Sequence, residues 1–235
     1  MTKFFLGLAS ADSPRWPFVD SVLRLRTPDG SWLEPLREGP LAVDVARNEV
    51  VRRFLKTAGE WLLWVDSDAV LHPLTLIRLQ SWDKPIVGAL TFQRYGPCLP
   101  TVMRGKNPSG DGYGTQVGEV RDWVTKYPQI MRSDAGVISP RPADALRLVE
   151  RTGCHCLLTH RSVYEAIPDP WFVGNPQHRH TREDMHFCEQ VQAAGFPIYI
   201  DFSVVAGHLY GDRPIGPLDF IVWDAVSEYG DSPGA

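Results

Sequence analysis

The run Trp61-Leu62-Leu63-Trp64-Val65 ends on two carboxylates one residue apart, Asp66 and Asp68, with Ser67 between them. A short apolar run bounded by polar residues reads as a buried strand. Side chains at i and i+2 share a face of a strand, so both carboxylates can point at one ligand. A divalent cation that carries substrate phosphates takes only one or two protein carboxylates. The competing reading is architectural: Asp-Ser-Asp stops the strand and leads into a helix opened by Pro73. A second acidic pair, Glu183-Asp184, opens a segment whose apolar residues Phe187, Cys188, Val191 and Ala194 repeat at helical spacing before Gly195. Thr181 with Asp184 three residues on is similar to a capping box, and a carboxylate in a first turn is also favoured electrostatically.

Stepping outward from these residues, the chain alternates strand and helix. Residues 3–8 predict a first strand, and Ala9 to Pro17 the loop after it, where Asp12 can touch a ligand or serve as a solvated turn residue. Residues 18–40, rich in Pro and Gly, predict irregular structure. Leu41 to Lys56 predicts a helix ended by Gly59, Trp61–Val65 a strand, Pro73 to about Trp82 a helix, and Pro85 to Phe92 a strand. That order is the pattern of a parallel sheet with crossover helices, in which ligands sit beyond the carboxyl ends of the strands. Turn signals fill residues 94–140, which predict an irregular segment contributing to an acceptor site. Ala145–Glu150 and Cys154–Thr159 follow as short elements, then a helix over Arg161–Ala166 and a proline-bounded aromatic segment, Asp169 to Phe172. His178 and His180 fall in a polar loop and are spare metal candidates. After the helix that begins near Thr181 come strands over Ile198–Ile200 and Ser203–Val205, then Gly207-His208. The tail carries one helical patch near Phe220 to Val226, and its last six residues predict disorder.

The 235 residues are 43% hydrophobic and 22% charged with a net charge of −4, an ordinary balance for a globular protein and no global basic field for nucleic acid. A local basic cluster exists in Arg104, Lys106, Arg121, Lys126, Arg132, Arg141, Arg147 and Arg151. It reads either as a solvated surface or as a groove for nucleic-acid phosphates. No apolar run approaches the roughly 18 residues of a membrane span, so no transmembrane segment is expected. The four cysteines, Cys98, Cys154, Cys156 and Cys188, lack zinc-site pairing and predict reduced, mostly buried thiols in a cytoplasmic protein. A zinc ligand at Cys154, His155 or Cys156 is the alternative.

In order along the chain stand Ala46-Arg47-Asn48, Trp64-Val65-Asp66-Ser67-Asp68, Ile86-Val87-Gly88-Ala89-Leu90, Thr152-Gly153-Cys154, Pro170-Trp171-Phe172, Arg182-Glu183-Asp184 and Gly207-His208. Together, over about residues 3 to 210, they resemble a GT-A glycosyltransferase of the compact bacterial and phage type, akin to the family-2 group. The resemblance implies an α/β fold: one Rossmann-like GT-A domain with a mostly parallel central sheet flanked by helices and a long variable loop region. It divides into a nucleotide-binding half (1–92), the variable region (93–152), a catalytic half (153–210) and a tail (211–235). It implies a nucleotide-sugar donor, most commonly a UDP-sugar, held near Ala9, Ser10, Asp12, Arg47, Asp66, Ser67 and Trp171. It implies Mn²⁺ or Mg²⁺ bound by Asp66, Asp68 and His208, and a catalytic pair Glu183 and Asp184 with the aspartate as base. The acceptor is a hydroxyl on a glycan or a modified DNA base, in the host cytoplasm where such a chain is phage-encoded. A flipped-out base would be needed for duplex DNA. Arg47 could instead pair with Glu49 or Asp44 at the surface, and Arg94 could reach a phosphate. Two other functions compete. A nucleotidyltransferase needs a Gly-rich basic loop after strand one, which Leu8-Ala9-Ser10-Ala11-Asp12-Ser13 lacks. A non-catalytic nucleotide-sugar or glycan-binding module has no need of a base at Asp184.

Overall fold

The strand over Trp61–Val65 forms as expected, and all five of its residues are buried, because apolar layers cover both faces of the sheet it sits in. Leu62 and Trp64 point into one layer with Phe54, Phe172 and Phe187, while Trp61, Leu63 and Val65 point into the other with Leu76 and Leu79. The computed structural model describes residues 4–9, 13–106, 113–131, 137–138, 141–174 and 182–228.

In chain order the strands are β1 (Phe4–Ala9), β2 (Glu34–Glu38), β3 (Trp61–Val65), β4 (Ala69–Val70), β5 (Ile86–Leu90), β6 (Met103–Lys106), β7 (Tyr113–Thr115), β8 (Val137–Ile138), β9 (Leu146–Val149), β10 (Cys156–His160), β11 (Ile198–Val205), β12 (Gly207–Tyr210) and β13 (Arg213–Ile215). The helices are α1 (Trp16–Leu23), α2 (Val43–Leu55), α3 (Thr75–Gln80), α4 (Val117–Lys126), α5 (Arg161–Ala166), α6 (Glu183–Ala193) and α7 (Pro217–Glu228). The eight-stranded sheet has the order β2-β1-β3-β10-β5-β11-β8, with β9 also on the outer edge of β11. Strands β2, β1, β3, β5 and β11 run one way and β10, β8 and β9 the other, so the sheet is mostly parallel. The fold class is therefore the expected one: α/β, Rossmann-like, with helices flanking a central sheet.

Several local expectations are corrected. Residues 18–40 are not irregular: α1 begins with Pro17 in its first turn, and β2 pairs in parallel with β1. β2 escaped notice because it is a half-exposed edge strand containing Pro35, tolerated only at an edge. Residues 94–140 hold β6, β7, α4 and β8, and α4 buries Val120, Trp123 and Val124 in the core. Their helical spacing was overshadowed by the turn residues on either side. The strand expected over Cys154–Thr159 forms over Cys156–His160, and it runs antiparallel between β3 and β5, where alternation of strand and helix predicts parallel neighbours. The two short strands after α6 are one, β11, whose register shifts against β5 between Asp201 and Val205. The N-cap of α6 is Arg182, without a side-chain cap bond, rather than Thr181, which lies outside the described residues with His178 and His180. Among the described residues no helix is long and apolar enough to cross a membrane.

Where the two halves of the sheet meet, the Trp64 indole Nε1–H donates to Tyr164 Oη at 2.7 Å, and both side chains are almost fully buried. Removing the hydroxyl strands a buried donor, which costs about 1–3 kcal/mol. Tyr164→Phe is expected to lower the unfolding free energy by that amount in denaturant titration. A change below about 0.5 kcal/mol, the range of neutral surface substitutions, would show that the indole finds another acceptor.

Candidate functional site

Four chain segments end at one edge of the sheet. β3 ends at Val65 and delivers Asp66, Ser67 and Asp68 in a tight turn before β4. β4 pairs with β12, which places His208 opposite Ala69. The antiparallel β10 brings its beginning, not its end, to the same edge, so His155 arrives beside Asp66, whose amide donates to the His155 carbonyl at 3.1 Å. α6 points its first turn, Glu183 and Asp184, at the same place, while α2 supplies Arg47 from below.

Asp68, His155 and His208 form a group whose ligand atoms all lie within 4.8 Å of one another. His155 Nε2 lies 3.2 Å from the Gly207 carbonyl and His208 Nδ1 lies 2.9 Å from the Phe92 carbonyl. A carbonyl only accepts, so each of those nitrogens carries the hydrogen. The other nitrogen of each ring is then free to present a lone pair inward. His208 Nε2 faces Asp68 Oδ2 at 3.3 Å, and His155 Nδ1 lies 3.5 Å from Asp66 Oδ2 and 3.8 Å from Asp68 Oδ1 without a hydrogen bond. Acceptors that close repel unless a proton or a cation stands between them. A carboxylate and two imidazoles, each ring oriented by a main-chain carbonyl, could hold a divalent metal ion. Burial alone would raise Asp68 and lower His155; the imidazole–carboxylate contacts win, holding Asp68 below and His155 above its usual value.

Asp66 lies beside this group rather than in it. Arg47 Nη2 donates to Asp66 Oδ1 at 2.9 Å, and Arg47 Nη1 donates to Glu183 Oε1 at 2.9 Å. Burial would raise Asp66, but the Arg47 guanidinium and the neighbouring His155 hold its carboxyl well below the carboxylate range. The arginine is buried, its guanidinium 5.9 Å from the Trp64 ring centroid and 5.6 Å from that of Phe172. Surface pairing of Arg47 with Glu49 or Asp44 is thereby excluded. Its neighbour Asn48 donates to the Phe172 carbonyl at 2.7 Å and accepts from the Phe172 amide at 3.0 Å. Glu183, expected as half of a catalytic pair, faces Arg47 with Oε1. Asp184 is different: its carboxyl meets the Met185 amide at 2.9 Å. Burial first, then the charges of Glu183 and Asp66, push Asp184 up from 3.8 to about 6, in spite of Arg47.

Other expected residues fall elsewhere. Ser67 sits half-buried in the turn between the two aspartates, and Ala9 ends β1. Ser10 and Asp12 lie outside the described residues. Trp171 does not line an opening: it is buried, and its indole donates to the Tyr164 carbonyl at 2.9 Å. The four cysteines are free and buried, and neither Cys154 nor Cys156 joins the histidine group. His155 was legible only as a zinc alternative inside Cys-His-Cys; its arrival at this edge depends on β10 running against its neighbours, which no residue pattern signals. Arg94 pairs with Asp68. Of the basic cluster, Arg121 pairs with Asp224, Lys126 with Asp144, Arg147 with Glu119 and Arg151 with Glu189, while Arg104 donates to the Leu148 carbonyl and Arg141 to Ser81. Arg132 lies outside the described residues. A carboxylate thus faces Arg121, Lys126, Arg147 and Arg151, whereas Arg104 and Arg141 meet neutral acceptors.

No protein-family model matches the chain. A stretch of 52 residues, 22% of this chain, is 40% identical to the mannan polymerase complex subunit MNN9 of Candida albicans and covers 14% of that protein. The chain thus spans a small part of that relative's length. The crystal structure of A197 from STIV is similar over 92% of this chain and 91% of its own, with a TM-score of 0.61 and 18% identity. At that identity the likeness shows the fold alone.

Asp184 gives a signed pH dependence. Its folded carboxyl stays protonated up to about 6 while the unfolded chain ionises near 3.8, so folded protein binds the extra proton and stability falls as pH rises between those values. Asp184→Asn removes the penalty. The variant is expected to be more stable than the parent near neutral pH, by on the order of 2 kcal/mol, with the gain vanishing toward about pH 4. Urea titrations across that range check it; a gain independent of pH would contradict it.

Proposed function

We propose that this protein is a metal-dependent GT-A-type glycosyltransferase that moves a sugar from a nucleotide-sugar donor, a UDP-sugar being the first candidate, to a hydroxyl of a glycan. The observation that carries the reading is the meeting of Asp68, His155 and His208 in one cluster, with Asp184 held at a helix start on the far side of the Arg47 pair. The similarity of one stretch to a mannan polymerase complex subunit supports the sugar-transfer class. The matched charges around Arg121, Lys126, Arg147 and Arg151 favour a glycan over a DNA acceptor.

Asp68, His155 and His208 would hold Mn²⁺ or Mg²⁺, with two imidazoles favouring Mn²⁺. The bound ion supplies Lewis-acid stabilisation of charge on the departing diphosphate. The chain's own residues do the remainder. Asp184 accepts the proton of the acceptor hydroxyl as the new bond from that oxygen to the anomeric carbon forms and the bond from the anomeric carbon to the phosphate oxygen breaks. Its value of about 6 leaves it ionised at neutral pH yet basic enough to take a proton. Arg47 fixes Asp66 and Glu183 in one plane of hydrogen bonds, setting the distance between the end of β3 and the start of α6.

A screen of nucleotide-sugars with Mn²⁺, read as release of nucleoside diphosphate, tests the proposal. Asp68→Ala is expected to abolish the Mn²⁺-dependent thermal shift produced by UDP. Asp184→Asn is expected to keep that shift and to slow turnover by about 10²–10⁴-fold, with loss of the activity rise that the parent shows through about pH 6. Release of pyrophosphate instead would identify a nucleotidyltransferase, and unchanged turnover in both variants would refute the site.

A further inference from the structure

We propose that Arg94 is an exchangeable counter-ion of Asp68: it holds the carboxylate in place of a metal, yields it when a divalent cation enters, and then binds the diphosphate of the donor. The inference rests on the metal-dependent transferase reading above and names the group that recognises the phosphates.

Arg94 Nη1 donates to Asp68 Oδ2, the same oxygen that faces His208 Nε2 at 3.3 Å. A cation held between Asp68 and His208 would draw on the same carboxylate, so guanidinium and metal compete for its charge. The two arginines of the site are held in opposite ways. Arg47 is enclosed, with a carboxylate at each end of its fork and aromatic rings on it, so it cannot leave. Arg94 is 38% exposed, on the loop that follows β5, with its guanidinium 5.0 Å from the exposed Tyr95 ring. Tyr95 packs edge-on against exposed Tyr210, 5.5 Å between centroids, and Tyr210 lies two residues beyond His208 on β12. An aromatic face restrains a guanidinium without fixing its direction, so the head group can pivot about a stationary stem. A partly exposed pair of this kind is weak and gives way to a doubly charged ion. Once released, a planar five-donor fork beside the cation is suited to the oxygens of a diphosphate.

The test is a titration of the whole protein with Mn²⁺, followed by the paramagnetic resonance of the free ion, for parent, Arg94→Ala and Arg94→Lys. Without nucleotide, Arg94→Ala is expected to bind Mn²⁺ about two- to fivefold more tightly than the parent, as removal of a partly exposed competitor implies. Arg94→Lys keeps a charge and is expected to stay closer to the parent. At saturating Mn²⁺, calorimetry is expected to show UDP binding about tenfold more weakly to Arg94→Ala, the loss of a charged hydrogen-bonding partner. If Arg94→Ala takes up Mn²⁺ no more tightly, or binds UDP as the parent does, the exchange is overturned while the metal site stands. If the parent takes up no Mn²⁺, the metal reading fails and this inference falls with it.

Discussion

A guanidinium with almost no exposure stays charged inside a protein only where opposite charge faces it, and Arg47 has a carboxylate at each arm of its fork, Asp66 on Nη2 and Glu183 on Nη1, while its buried Nε is left without a partner. Asp66 comes from the end of β3 and Glu183 from the first turn of α6, well over a hundred residues apart along the chain. Removing one member of such a group leaves the others buried and uncompensated, which is why buried pairs are costly to break even where they contribute little net stability. The arrangement therefore works as a ruler rather than as glue. It sets the gap between the end of β3 and the start of α6, and Asn48 extends the same helix's grip to the main chain of Phe172. Three carboxylates in one cleft then take three different electrostatic characters. Asp66 is driven low by Arg47, Glu183 forms an ion pair with it, and Asp184, left to burial and to its acidic neighbours, is driven high.

The parts of this site that could be read from sequence are those fixed by local pattern. An apolar run stopping on two aspartates gave β3 and its turn, because a buried strand needs uninterrupted apolar residues and must end where charge begins. The α6 start was marked by acids ahead of helically spaced apolar residues. Arg47 could be placed on a helix, but its burial could not, since burial depends on what α6 and β3 bring to it from elsewhere in the chain. The same limit hid His155. Residue pattern distinguishes strand from helix; it does not give the direction in which a strand runs, and a single reversed strand decides whether the residue before Cys156 lies at the site or at the opposite end of the sheet. Trp171 fails for a related reason: an aromatic beside a proline serves a core or a binding surface equally well, and here Tyr164 and Phe172 claim it for the core.

The long segment after β5 shows how turn residues mislead when taken together. Gly and Pro mark the ends of elements as often as their absence, and between such marks α4 lays Trp123 under the sheet, its indole donating to the Phe202 carbonyl at 3.0 Å. The basic residues nearby looked like a field because sequence lists charges without their partners. In three dimensions Asp224, Asp144, Glu119 and Glu189 answer four of them, Arg121, Lys126, Arg147 and Arg151.

Gly207 carries no chemistry, yet both imidazoles are tied to it. Its carbonyl orients the ring of His155, and its chain continues directly into His208. A methyl group at this position would come within 2.8 Å of Pro214 Cβ, on the strand that pairs with β12. The backbone would have to retreat, and in retreating it would tilt two imidazoles at once. An inert position is thus the hinge pin for both rings, and drift there would change how they face Asp68 before it altered any member of the group.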